Sequence, residues 1–141
     1  MTSPNDIRNL ADLRIVEAEN LNNVGYPDGA FYLAGYAVEL YLKAKICENL
    51  NLPTFYTQYA PKTDLSKTFL IHNLDRLILL SGLLPKFEAE KANDPVFTGH
   101  CVNIERWSEK SRYDDQGTHN LQQTTIFLES VKFITQWIKV N

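Results

Sequence analysis

Apolar positions along the chain fall into runs of two kinds. Ile7, Leu10, Ala11, Leu13, Ala18 and Leu21 recur roughly three and four apart, the period of an amphipathic helix. Ser3-Pro4 supplies a hydroxyl cap followed by proline at the first helical position. Asn22-Asn23-Val24-Gly25 ends the run, with Gly25 suited to a left-handed cap. The next run is different. Ala30 to Ile46 reads AFYLAGYAVELYLKAKI, and thirteen of its seventeen residues are hydrophobic. They occupy every side of a helix, the mark of an element that is centrally buried or crosses a membrane. Glu39, Lys43 and Lys45 interrupt the run, and a span needs about 20 predominantly apolar residues. A buried central helix is therefore predicted, reached through the turn Tyr26-Pro27-Asp28-Gly29. So short a connection makes the first two helices antiparallel neighbours.

Beyond it, Asn49 to Lys67 is irregular, with Pro53, Pro61 and the aromatics Phe55, Tyr56 and Tyr59, and reads as a loop. Thr68 to Leu80 reads as a helix stopping at Ser81-Gly82, and Pro85 to Ala92 as a short charged helix. Asp94-Pro95 is a second cap-plus-proline start, for a helix through Val96, Phe97, Cys101, Ile104 and Trp107. Ser108 to Thr118 is polar and breaks the pattern. Thr118 or Asn120 then caps a last helix near 119–139, with a broad apolar face from Leu121 to Ile138. No stretch alternates with period two, and nothing repeats at a fixed period. The expected fold is an all-α, antiparallel, up-and-down bundle of four main helices plus shorter ones, forming one domain over 1–141.

Composition alters this picture little. The hydrophobic fraction of 44% and net charge of −3 are ordinary for a globular domain and do not indicate a globally basic nucleic-acid binder. Cys47 and Cys101 are distant and form no CxxC, which fits buried thiols in a reducing compartment. The N-terminal MTSPNDIRNLADLR lacks the apolar core of a signal peptide, so a cytoplasmic, non-membrane protein is expected. There is no HExxH, no partner pair for His100-Cys101 at zinc spacing and no glycine-rich phosphate loop. No metal or cofactor is expected.

The stretch that carries candidate chemistry is Trp107 to His119. Arg112 and His119 flank a six-residue gap between two helices, with Arg106 and Lys110 close by. A histidine there suits proton transfer on a phosphodiester, as base or acid. An arginine holds phosphate through its planar fork. The start of a following helix adds free N–H groups that favour anions. The plain alternative pairs Arg112 with Asp114 or Asp115 and leaves a solvated His119.

Three segments, in one order, resemble the HEPN family. AFYLAGYAVELYLKAKI is similar to its hallmark helix. His72-Asn73-Leu74-x-x-Leu77 resembles the opening of its next helix. Trp107-Ser-Glu-x-Ser-Arg112-Tyr113 resembles the segment before its last helix. Together they cover residues 7–140. The resemblance implies a helical bundle that pairs as a homodimer. It also implies an RNA- or nucleotide-binding role, in catalytic members a metal-independent endoribonuclease of toxin–antitoxin or defence systems. Arg112 and His119 match the family's catalytic motif in spacing and position. Glu39, Lys43, Lys110, Tyr113 and Asp114 are the candidate substrate contacts. The alternative is a non-catalytic module that binds a nucleotide or a partner protein such as a nucleotidyltransferase. Without the resemblance, Glu39 and Lys43, four apart, read as a buried ordering pair, and His72 as a cap on its own helix.

Overall fold

The computed structural model describes residues 3–52 and 70–141, and among them every regular element is helical. Most of the loop expected at Asn49 to Lys67, and the start of the helix expected from Thr68, lie outside the described residues. Helix α1 spans Pro4–Asn23. Its start is a reciprocal capping box: the Ser3 hydroxyl accepts from Asp6 N–H, and the Asp6 carboxylate accepts from Ser3 N–H. Gly25, at φ +92°, makes the left-handed turn that ends it.

Helix α2, Pro27–Asn49, is the centre of the bundle. It packs on α1, on the C-terminal helix, on the short helix that follows residue 70, and on the loop before the C-terminal helix. That is why it is apolar on all sides. Ala30, Ala34, Ala37 and Ala44 have no exposed surface, so neighbouring backbones approach closely. Tyr41 donates to Asp12 Oδ1 at 2.5 Å and ties α2 to α1. Burial and this carboxylate push the phenol pKa upward.

Helix α3 is Leu74–Leu80, shorter than the pattern predicts. Asn73 Oδ1 accepts from Arg76 N–H at 3.0 Å and sets the start there, while Leu70 to His72 are not helical. Helix α4, Leu84–Asn93, is close to the expected segment. Asp94 caps α5, Pro95–Ile104, by accepting from the N–H groups of Val96 and Phe97. The expected continuation of α5 to Trp107 does not occur. Trp107 instead turns inward onto α2, where its indole donates to the Tyr32 carbonyl at 3.0 Å. A Cβ on Gly35 would lie 2.1 Å from the Trp107 ring, so only glycine admits this packing.

A 3-10 turn, Glu109–Tyr113, follows, opened by the Ser108 side chain. Asn120 then caps the last helix, α6, Leu121–Val140. Asn22 on α1 donates to Thr125 Oγ1 on α6 at 2.9 Å. Ser130 joins α6 to α5 through Asn103 and His100, each at 2.9 Å. Cys47 and Cys101 are free and buried, and burial pushes both thiols up to about 11. Among the described residues no helix is long and apolar enough to cross a membrane, and no group of three or more His, Cys, Asp or Glu side chains could hold a metal ion.

Candidate functional site

Two contacts anchor the segment from Trp107 to Asn120 on the N-terminal half of α2. Trp107 over Gly35 is the first. The second is Asp28, in the first turn of α2, whose two carboxylate oxygens accept from Gly117 N–H at 2.8 Å and His119 N–H at 2.9 Å. The Gly117 bond is the main reason the Asp28 carboxyl lies below its usual pKa. The His119 N–H and ring add to it, and partial desolvation opposes them. Gly117 sits at φ +89°, which lets the chain present both amides to one carboxylate.

Asp28 fixes where the His119 ring can lie. The imidazole stacks on Phe31, one turn along α2, with ring centroids 3.8 Å apart and planes 15° from parallel. Phe31 in turn packs on Phe127 of α6. The His119 Nε2 atom is 3.1 Å from Asp114 Oδ2. An ionised carboxylate only accepts, so Nε2 carries the proton of a neutral ring and Nδ1 is its base. His119 is thus a held imidazole with 16% of its side chain exposed, not a solvated one.

Beside it lies a cleft of about 170 Å³, lined by Phe31, Asn103, Arg106, His119, Gln123 and Thr124, with Ile126 and Phe127. Arg106 enters from just beyond α5. Thr124 is fully buried, and its hydroxyl has no hydrogen-bond partner. The cleft therefore gathers an imidazole, a guanidinium and a spare hydroxyl beside the first turn of α6.

Arg112 does not join them. Its guanidinium lies over the Tyr113 ring, 4.8 Å from the centroid. Tyr113, and behind it the Tyr32 hydroxyl, hold it more firmly protonated than a free arginine. His119 packs on Phe31 and Arg112 approaches Tyr32, and consecutive helical residues point about 100° apart. Among the described residues no hydrogen bond or ion pair links Arg112 to His119. Nor is Arg112 paired with Asp114 or Asp115: Asp114 is taken by His119. Lys110, Arg112 and Tyr113 are exposed on the 3-10 turn, Tyr113 at 74%.

Glu39 and Lys43 form a separate group. Glu39 is fully buried, and its Oε1 accepts from Lys43 Nζ at 2.6 Å. His72 Nδ1 lies 2.8 Å from the same oxygen, and His72 Nε2 lies 3.3 Å from Glu109 Oε2. His72 does not cap α3, because Asn73 does. It links the buried Glu39 to the 3-10 turn that carries Arg112. Tyr32, Tyr36, Glu39 and Lys43 follow one another at helical spacing along α2, so the ion pair lies on the same face of the helix as Tyr32, which Arg112 approaches.

No protein-family model matches the chain. Comparison with curated proteins and with solved structures likewise gives no match. Arg106, Phe31 and Thr124 carry no motif of their own, and only the clustering of cations around residues 106–112 marks Arg106 in the sequence.

Proposed function

We propose that this chain is a HEPN-like protein that binds RNA or a nucleotide by a phosphate group, at the cleft beside His119. The observation that carries the reading is the meeting of His119, oriented by Asp114, with Arg106 and the unpaired Thr124 hydroxyl. A phosphate supplies acceptors for both the guanidinium and the hydroxyl. Phe31 and His119, already stacked, offer an aromatic edge for a base. Arg112, Lys110 and Tyr113, exposed on the adjoining turn, extend the contact along a strand. With a net charge of −3, the footprint is local and short.

Binding is favoured over cleavage by one feature. A metal-independent ribonuclease of this type needs His119 for proton transfer and Arg112 on the same phosphate. In the protomer Arg112 is turned onto Tyr113. Cleavage is accordingly the less favoured outcome at this site, and the alternative reading is a non-catalytic module that binds a nucleotide or a nucleotidyltransferase-type partner protein. A homodimer is part of the proposal. Ile126 lines the cleft and is 47% exposed, and Phe133, seven residues on, is 38% exposed. A second copy on this face brings two clefts together.

The test is incubation of purified protein with labelled single-stranded RNA in EDTA, read for both anisotropy and cleavage. Saturable binding that His119→Ala and Arg106→Ala both weaken supports the reading. Cleavage leaving a 2′,3′-cyclic phosphate, abolished by His119→Ala, promotes it to catalysis. Wild-type binding in Arg106→Ala overturns the assignment of the cleft.

A further inference from the structure

A second, larger cavity of about 470 Å³ opens between α2, α3, α4, α5 and α6. Its chemistry differs from that of the His119 cleft. Its walls are apolar, built by Val38, Leu42, Leu84, Phe87, Ile104 and Ile138. Its size falls in the range of about 300–1,000 Å³ typical of small-molecule sites, which pair apolar walls with a few placed polar groups. One such group is present. Trp137 lines the cavity, and its indole Nε1–H is buried without a hydrogen-bond partner. An indole N–H only donates. Burying it unpaired is unfavourable by an amount that an acceptor on a ligand recovers.

Among the described residues the charged groups of the rim are mostly acidic. Asp75, Glu88 and Glu105 stand there against Lys91, whose ammonium is 3.9 Å from Glu105. His72, also at the mouth, has carboxylates on both sides, Glu39 and Glu109. Among the described residues no guanidinium lines the cavity. From these residues a phosphate or carboxylate would meet net negative charge, the reverse of the Arg106 cleft.

We propose that this cavity binds a neutral, largely apolar small molecule that presents one carbonyl- or ether-type oxygen to Trp137 Nε1–H. The site is independent of the phosphate cleft, and neither proposal rests on the other.

The probe is prodan, a neutral naphthalene ketone whose emission shifts to the blue in apolar surroundings. Titration into the full chain should show saturable binding of one dye per chain, with quenching of Trp107 and Trp137, which both line the cavity. Trp137→Phe keeps an aromatic ring and removes the donor. It should weaken prodan about tenfold, while the analogue with a propyl group in place of the ketone binds wild type and variant alike. The naphthalene carrying a carboxylate in place of the ketone should bind at least tenfold more weakly than prodan. Leu84→Trp, which fills the cavity, should abolish binding with circular dichroism unchanged. Absence of saturable binding to the wild type overturns the proposal. So does equal prodan affinity in folded Trp137→Phe, undiminished binding in folded Leu84→Trp, or equal affinity for the carboxylate.

Discussion

The main-chain N–H of His119 donates to Asp28 Oδ1 at 2.9 Å, across 91 positions of sequence. Asp28 Oδ2 takes Gly117 N–H in the same way, so one carboxylate at the start of α2 places the loop that precedes α6. Asp28→Ala removes both acceptors and leaves the helices intact. Amide exchange at Gly117 and His119 should accelerate by at least tenfold, with little change at core amides such as Val131. Unchanged exchange at those two amides would show that the loop is held by other contacts.

The same anchor gives a pH dependence. The Gly117 N–H, then the His119 N–H and ring, hold the Asp28 carboxyl below its ordinary value. A group whose pKa is lowered by folding contributes stability that is fully present above its unfolded value, about 3.9. That contribution is lost as pH falls through the folded value. The amide shifts of Gly117 and His119 should therefore share one titration step, that of Asp28, with its midpoint below about 4. Asp28→Asn should show no such joint titration. A midpoint above 4 would contradict the lowered pKa.

Gly35 tests the packing that ends α5. In an exposed helix, Gly→Ala stabilises by about 1 kcal/mol. Here the new Cβ would fall 2.1 Å from the Trp107 ring. Overpacking of this kind costs about 1–3 kcal/mol. Gly35→Ala should lower stability in urea unfolding, and Trp107 fluorescence should shift to the red as the ring leaves its place. A stabilised Gly35→Ala would show that Trp107 moves aside at no cost.

The buried pair on α2 makes a prediction of opposite logic for one substitution and two. Glu39 is fully buried, its Oε2 has no partner, and Lys43 and His72 both address Oε1. Lys43→Met takes away the cation and leaves the carboxylate in place, which should destabilise the fold by about 3–5 kcal/mol. Glu39→Leu with Lys43→Met removes both charges and should regain most of that loss. If the double variant is no more stable than the single one, the pair has an ordering role that apolar side chains do not replace.

Much of the fold was legible because it depends on local chemistry. Ser3-Pro4, Asp94-Pro95 and Asn120 are caps whose partners lie within three residues, and the all-round apolar pattern of Ala30 to Ile46 admits only a central position. The departures from local pattern share a different cause. Helical periodicity continues through Trp107, but the helix stops at Ile104, because the indole finds Gly35 and the Tyr32 carbonyl on another element. Thr68 to Leu80 reads as one helix, yet Asn73 caps it late and frees His72 to reach Glu39. In the site, spacing singled out Arg112 with His119. The direction a side chain takes from a 3-10 turn is set by what it meets, and Arg112 meets Tyr113 and Tyr32. Asp28 read as a turn residue because the amides it accepts lie some ninety positions away.

Arg106 and Arg112 therefore divide the proposed function between them. Arg106 lines the cleft with His119, whereas Arg112 is exposed outside it. If a phosphate occupies the cleft, Arg106→Ala should weaken binding of short single-stranded RNA about tenfold or more, the scale of one charge-assisted contact. It should also lower the slope of log affinity against log salt by about 1. Arg112→Ala should weaken binding only for RNA long enough to leave the cleft, and leave a mononucleotide unaffected. If RNA bridges two copies instead, with cleavage as the outcome, Arg112→Ala abolishes cleavage even where mononucleotide binding is intact. A larger loss of mononucleotide affinity in Arg112→Ala than in Arg106→Ala would place the phosphate on the 3-10 turn and remove it from the cleft.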